Sequence, residues 1–314
     1  MRPLGFREAA EFWGVATDPE LAFRLHALVG GTAEYKDLCG GAGPRSLAGL
    51  DRWVRLRLLD PASPMCREGG LPLPPSGGAV TDLAWRASAL DAISAGAAWP
   101  AQIAAALGRP ADSVARLLTE LRDMDLIELL ADPLNGERSA CVIVKPIARL
   151  HQLVIAPYEA ELAAGLAELV WAGGRDMVAA RIYRPHFASL ARQWCLRHAA
   201  GATVGGVARA ARPTAVACRE HLREHELEAV LVEDPVASGR VIAIGETNAA
   251  DGPMDAWQLR RLEHLRALLP GERVGRPPRL LLFSRSGFAA GLTEEAAVRP
   301  DVELVGLERI YQGA

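Results

Sequence analysis

Residues 81–150 carry three successive helical patterns followed by two candidate strands, an order that restricts the choice of fold. A helix over about 82–96 precedes PAQIAAALG, which ends at Gly108, a residue favoured at helix C-termini. The next segment, PADSVARLLTELRDMD, repeats apolar residues at helical spacing. The candidate strands LIELLA (126–131) and ACVIVKP (140–146) flank an Asn135-Gly136 turn signal. This layout predicts a winged helix-turn-helix domain over residues 81–157.

The flanking segments predict an α+β or α/β chain with two further parts. Residues 1–80 indicate a helical segment that ends in a linker, because 60–80 hold five prolines and four glycines. Residues 158–314 predict an α/β domain. Long helices are expected from Pro157 to about Ala172 and over about 175–199, followed by strands at 226–234, 240–247 and 279–285, a helix at 255–269, and a final strand or strand-helix at 302–311.

Composition excludes several classes of protein. The formal net charge of −3 gives no general attraction to nucleic acid or anionic membrane. The basic residues include only two lysines, Lys36 and Lys145, and neither follows a glycine as a phosphate-binding P-loop requires. No apolar stretch is long enough to span a membrane and the five cysteines are scattered, so we expect a cytoplasmic protein with reduced thiols and no cofactor.

The second helix of the predicted helix-turn-helix offers groups that bind phosphates and base edges. The candidate DNA-binding residues are Ser113, Arg116, Thr119 and Arg122 on that helix, with Asn135 and Arg138 on the wing. Against this interpretation, residues 81–150 hold seven basic and nine acidic side chains, a net charge of −2. DNA-reading domains usually present a basic face. A module that packs on protein therefore stays open as an alternative.

Two strand carboxylates suggest a nuclease-type arrangement that has lost part of its chemistry. Glu228 and Glu246 end neighbouring candidate strands. Nuclease cores of the PD-(D/E)xK type use such carboxylates to bind Mg²⁺ and a lysine to position the attacking water. Asn248 stands at the lysine position and carries no charge. We therefore expect no catalysis, although a metal-dependent nuclease stays open as an alternative.

A histidine-rich motif lies just before the strand that carries Glu228. The segment CREHLREH contains His221 and His225 in H-x-x-E-H order, with Cys218 nearby. Two histidines four residues apart on a helix can bind zinc. The segment is short, follows Pro213 and offers no third ligand from another helix. We therefore predict solvated surface histidines and no metal site, and we assign no nucleophile to the Cys195/His198 pair.

Several motifs together resemble the part of archaeal-type DEXX-box ATPases that follows their ATPase core. The matching segments are GGTAEY (30–35), VKPIARLHQLVIAP (144–157), RPHFASLARQW (184–194), HELEAVLVE, IGETNAA and LFSRSGF (282–288). The resemblance implies a winged helix followed by a PD-(D/E)xK nuclease-like domain, without the ATPase domain. The resemblance places the family's acidic helix residue at Ala188, its strand aspartate at Glu228 and its lysine at Asn248. Glu246 is the one position of this set where the chain has the same residue type as the family. The nuclease centre is therefore expected to be degenerate.

These observations favour a non-enzymatic protein that binds double-stranded DNA, with transcriptional regulation as the expected role. The alternatives are a regulatory subunit that docks on a separate ATPase, and a metal-dependent DNA nuclease. Homodimer formation is a further option, and no membrane partner is expected. Since the chain begins at Met1, we expect a natural short protein rather than a fragment of a longer one.

Overall fold

The computed structural model describes residues 3–70, 80–234 and 239–313 of a mixed α/β protein. The chain forms two compact units: unit 1 runs to Leu129 and resumes at Cys141–Tyr183, and unit 2 comprises Leu130–Ala140 and the chain from Arg184 onward. The predicted boundary between residues 80 and 81 therefore lies within unit 1. The predicted boundary at 157/158 also lies within it. Residues 71–79 of the predicted linker lie outside the described residues.

Unit 1 is mainly helical. Its helices are α1 (Phe6–Trp13), α2 (Pro19–Val29), α3 (Glu34–Leu38), α4 (Leu47–Arg57), α5 (Pro64–Glu68), α6 (Val80–Ser94), α7 (Pro100–Leu107), α8 (Ala111–Asp123), α9 (Pro146–Leu150), α10 (Glu159–Ala163), α11 (Ala167–Gly173) and α12 (Arg175–Val178). The chain leaves unit 1 within strand β1 (Ile127–Ala131) and returns to it within strand β2 (Ser139–Ile143). Two π-helical segments, His151–Ile155 and Ala179–Tyr183, interrupt the later helices. The start of α2 agrees with the sequence, because the Asp18 carboxylate accepts a hydrogen bond from the Leu21 N–H at 3.0 Å.

Helices α6, α7 and α8 pack around an apolar core and lead into a two-stranded sheet. The core contains Ala89, Leu90, Ile93, Ile103, Val114, Leu118, Leu121, Leu126 and Ile127. The turn between α7 and α8 uses Gly108 at φ 59°, a left-handed conformation that suits glycine. The backbone N–H of Val144 donates to Leu126 and that of Asp132 donates to Arg138, so β1 and β2 run antiparallel. Both strands lie close to their predicted positions.

Unit 2 is built on a five-stranded mixed sheet. Its elements are α13 (Arg184–Arg197), α14 (Gly201–Val204), β3 (Ala210–Cys218), β4 (Arg223–Val232), β5 (Val241–Asn248), α15 (Ala256–Ala267), β6 (Arg279–Ser284), α16 (Ala290–Ala297), β7 (Val302–Gly306) and α17 (Leu307–Gln312). The strand order follows the sequence, with antiparallel pairing from β3 to β5 and parallel pairing from β5 to β7. Leu259, Leu262 and Leu265 of α15 pack into the main apolar core of this sheet.

The structure corrects three predictions of secondary structure. The predicted long helix to Ala172 is divided into α10 and α11, because Gly165 adopts φ +78° and ends the first. The predicted helix over 175–199 is divided by the π-helical turn at 179–183. Strand β3 was not predicted at all. No helix among the described residues has both the length and the apolar character needed to cross a bilayer.

The double-glycine turn after α2 holds the N-terminal segment by backbone contact. Leu4 donates its N–H to the carbonyl oxygen of Gly31 at 2.8 Å. A Cβ atom on Gly31 would overlap the carbonyl oxygen of Leu4. The preceding Gly30 adopts φ +74°, and a Cβ there would lie 2.9 Å from the Pro146 ring. This turn therefore requires glycine at both positions.

We expect Gly31→Ala to lower the free energy of unfolding by about 1–3 kcal/mol, since the added methyl forces a backbone shift. Gly136→Ala is the matched control, because a Cβ at Gly136 meets no atom within 4 Å and its backbone is not left-handed. This control should change stability by less than about 1 kcal/mol. Thermal unfolding followed by circular dichroism measures both, and equal melting temperatures for the two variants would refute the packing argument.

Candidate functional site

The predicted DNA-contacting residues of α8 lie on its solvent face. Ser113, Arg116, Thr119 and Arg122 are all exposed, opposite the buried Val114, Leu118 and Leu121. Thr119 donates its hydroxyl to the Ala115 carbonyl oxygen, as a helical threonine commonly does. Arg122 binds the carboxylate of its neighbour Asp123 at 2.9 Å. Arg116 is the cation on this face for which no ion pair is found among the described residues.

A shallow depression beside the start of α8 collects further groups. Arg109, in the turn before α8, stacks its guanidinium on the Trp85 ring at 3.7 Å from the centroid. Ser113 and Arg116 line the same depression. Glu120 also lines it, but its carboxylate accepts two hydrogen bonds from Arg86, at 3.0 and 3.1 Å. The negative charge of Glu120 is thus already paired within unit 1.

The two wing residues proposed from the sequence differ in accessibility. Asn135 is exposed, and its side-chain oxygen accepts the Glu137 N–H at 3.2 Å. Arg138 is partly buried in unit 2. Its guanidinium donates to the Asp132 carboxylate at 2.6 Å and to the Ala215 carbonyl oxygen at 2.7 Å, and it lies 3.3 Å from Glu224. Three acceptors therefore occupy the guanidinium that sequence reasoning assigned to DNA.

The partner of Arg138 organises the tip between β1 and β2. The Asp132 side chain is fully buried. Besides Arg138, its carboxylate accepts the N–H groups of Leu134 and Asn135, at 2.9 and 3.2 Å, and the Thr214 hydroxyl. A buried carboxylate requires such partners to offset the loss of hydration. Asp132 consequently fixes both the tip conformation and the position of Arg138.

The strand carboxylates proposed from the sequence lie on neighbouring strands, since Ala229 pairs with Gly245. Glu228 accepts the backbone N–H of Thr247 at 2.8 Å and its hydroxyl at 2.5 Å. Glu246 binds Arg261 of α15 at 2.5 Å. Successive side chains of a strand point to opposite faces of the sheet. Glu246 and Thr247 are consecutive on β5, so Arg261 binds Glu246 on one face of the sheet and the Thr247 side chain points to the other.

The other two positions of this set provide no catalytic group. Ala188 is buried on α13. Asn248 donates its amide to the Gly252 carbonyl oxygen and accepts the Ala250 N–H, both at 3.1 Å, so it shapes the turn after β5. Burial raises the pKa of Glu246, and the adjacent Arg261 opposes that increase. The cations beside the two carboxylates are Arg261 of α15, which binds Glu246, and Arg184 of α13, which lies 4.0 Å from Glu228.

A cluster of one cysteine and three histidines lies elsewhere in unit 2. Cys218 ends β3, His221 lies in the turn to β4, His225 lies on β4 and His264 lies on α15. The Cys218 Sγ is 3.2 Å from His221 Nδ1 and 3.4 Å from His264 Nε2, and His225 Nε2 is 3.1 Å from His221 Nδ1. We call these four side chains the Cys-His cluster.

Sequence reasoning missed this cluster because it weighed the two histidines only as ligands on one helix and looked for no partner further along the same domain. The motif instead forms a tight hairpin turn, in which Leu222 adopts a left-handed backbone at φ 49°. Two residues of the turn and its flanks, Cys218 and His225, are buried, so the expectation of solvated surface histidines is wrong for His225. The sequence feature that could have revealed the cluster is His264, a further possible ligand on the amphipathic helix predicted at 255–269.

No protein-family model, no curated protein and no solved structure matches this chain.

Replacing the buried carboxylate at the hairpin tip should destabilise unit 2. We expect Asp132→Asn to lower the free energy of unfolding by about 2–3 kcal/mol, because Arg138 loses its buried counter-charge. Glu137→Gln, an exposed acidic residue of the same tip, should change it by less than about 0.5 kcal/mol. Urea denaturation measures both variants, and an Asp132→Asn midpoint equal to that of wild type would contradict this role.

Removing Arg261 should make stability depend more strongly on pH. Without its cation, the pKa of Glu246 rises further above the unfolded value, so protonation at lower pH favours the folded state. We expect Arg261→Met to cost about 2 kcal/mol at pH 7 and clearly less at pH 5. The double variant with Glu246→Gln should lose this difference. Urea denaturation at pH 7 and pH 5 measures these free energies of unfolding. Equal destabilisation of Arg261→Met at the two pH values would contradict the predicted coupling to Glu246.

Proposed function

We propose that this chain is a non-catalytic DNA-binding protein with a role in transcriptional regulation. One observation carries the proposal: Arg116 projects from the solvent face of α8, and no ion pair or hydrogen bond to it is found among the described residues. The preceding helices bury the opposite face of α8, as a helix-turn-helix requires of its recognition helix. Arg116 is therefore available to bind a phosphate or a guanine edge.

Neighbouring groups support a nucleic-acid interface around Arg116. Trp85 stacks on the Arg109 guanidinium, and Ser113 adds a hydroxyl to the same depression. Arg86 neutralises Glu120, one of the acidic residues that weighs against DNA binding in a simple charge count. The Arg86–Glu120 pair leaves the net charge of −2 unchanged, but Glu120 no longer presents an unpaired carboxylate in the depression that Arg116 lines. Phosphate binding by two arginines and a hydroxyl is the chemistry that this arrangement favours.

The strand carboxylates support the non-catalytic part of the proposal. A nuclease centre needs carboxylate oxygens free to bind a divalent metal. The Glu246 carboxylate instead accepts a hydrogen bond from the Arg261 guanidinium, and the Glu228 carboxylate accepts hydrogen bonds from the N–H and the hydroxyl of Thr247. Asn248 is used in a turn. The resemblance to DEXX-box ATPases implies a nuclease-like domain over residues 158–314. We propose that this domain serves as a scaffold and not as an enzyme.

A regulatory subunit that docks on a separate ATPase is the second candidate. Arg138 favours it, because this wing cation is held by Asp132, Ala215 and Glu224 and is withdrawn from any DNA backbone. Arg122 is likewise paired with Asp123. A helix-turn-helix that lacks both cations has less phosphate contact than DNA-reading domains use.

Fluorescence anisotropy tests the proposal with labelled duplex from upstream of the chain's own gene and a scrambled duplex of equal length. We expect at least about a hundredfold tighter binding to the upstream duplex at physiological salt, as is typical of sequence-specific regulators. Arg116→Ala should weaken specific binding by about tenfold or more, equivalent to about 1–3 kcal/mol. Affinity should also fall steeply as salt rises.

Arg197→Ala is the matched control, since Arg197 is an exposed arginine on α13, a helix that carries none of the predicted DNA contacts. This variant should bind as wild type does. If micromolar wild-type protein binds neither duplex, the DNA proposal is wrong. Co-purification of an ATPase with the wild-type chain would then favour the docking candidate.

A further inference from the structure

We propose that Cys218, His221, His225 and His264 form a zinc site that joins the β3–β4 hairpin to helix α15. The four ligand atoms lie within 4.8 Å of one another. Cys218 and His225 are buried, His264 is partly buried and His221 is exposed, so the site opens to solvent on one side. A metal ion therefore has a route to it. The inference does not depend on DNA binding.

The spacing of the ligand atoms matches tetrahedral coordination. With Zn–S bonds of about 2.3 Å and Zn–N bonds of about 2.0–2.1 Å, ideal tetrahedral angles separate S from N by about 3.6 Å and N from N by about 3.3 Å. The observed sulfur–nitrogen distances are 3.2 and 3.4 Å, and the His221–His225 nitrogen distance is 3.1 Å. Small outward shifts of these side chains accommodate the ion.

The identity of the donors selects the metal. One thiolate and three imidazoles suit Zn²⁺ and related transition metals, whereas Mg²⁺ and Ca²⁺ require oxygen ligands. His221 and His225 are separated by three residues, a spacing that recurs in structural zinc sites. Four protein ligands fill a tetrahedral shell and leave no position for a reactive water. The site is therefore structural rather than hydrolytic.

The fold explains why a metal would be useful at this place. β3 is an edge strand of the sheet, and the hairpin turn ends in the left-handed Leu222, whose side chain is 91 % exposed. The tip thus has few apolar contacts to fix it. His264 reaches it from α15, a helix that packs on the core of the sheet through Leu262 and Leu265. A bound ion would connect the hairpin tip to this core.

Metal analysis of the purified full-length chain provides the first test. After incubation with Zn²⁺ and removal of excess metal in the presence of a weak chelator, we expect one zinc ion per chain. Cys218→Ala and His264→Ala should each weaken zinc binding by more than about a hundredfold, since even outer-shell partners contribute 10–100-fold. His198→Ala, a histidine of unit 2 outside the cluster, should retain one ion per chain.

Cobalt substitution of the wild-type protein keeps the test decisive if a ligand variant fails to fold. Co²⁺ in this site should give intense tetrahedral visible bands and a thiolate-to-cobalt charge-transfer band in the near ultraviolet, and Zn²⁺ should abolish both. Zinc should also raise the melting temperature of wild type but not of a folded His264→Ala variant. Absence of the cobalt bands in wild type, or full zinc retention by both ligand variants, would overturn the proposal.

Discussion

Unit 2 depends on strand β5, which pairs antiparallel with β4 on one side and parallel with β6 on the other. An antiparallel neighbour can follow through a short loop, but a parallel neighbour requires the chain to cross over the sheet. Helix α15 makes this crossover and buries its leucines on the sheet. The same helix carries Arg261 to Glu246 and His264 to the hairpin tip. Both polar arrangements are therefore consequences of one change in strand direction.

Sequence patterns located most of this sheet but not its edge. β4, β5 and β6 were predictable because they are continuous apolar runs, as expected for strands covered on both faces. Four of the nine residues of β3 are alanine, and the strand contains Pro213. The pairing of β3 with β4 shifts register between Arg212 and Thr214, at the residue that has no N–H to donate. An irregular edge strand of small residues gives no periodic signal, and only its pairing with β4 defines it.

The Cys-His cluster shows a similar division between local and distant information. The spacing of Cys218, His221 and His225 is visible in the sequence, whereas His264 is 39 positions beyond His225. Its approach depends on the crossover of α15, which periodicity alone cannot orient. The tight turn of the motif was equally hidden, because Leu222 adopts a left-handed conformation that no residue-type preference indicates. Local spacing thus identified three donors, and the sheet topology supplied the fourth.

The unpaired charge that residues 81–150 present to a partner was the property least predictable from the sequence. A count over residues 81–150 gives every charged side chain equal weight, but the fold pairs many of them. Glu120 is held by Arg86, and Asp132 holds Arg138. Arg138 is therefore occupied by Asp132, although it was a predicted DNA contact. Glu120 counted against DNA binding as a free negative charge, and Arg86 now pairs it. What a partner meets is the charge left after tertiary pairing, and on α8 that charge is carried by the exposed Arg116 and Asp112. Of the six predicted DNA contacts, Arg138 and Arg122 are the two whose guanidinium groups bind carboxylates of the protein itself.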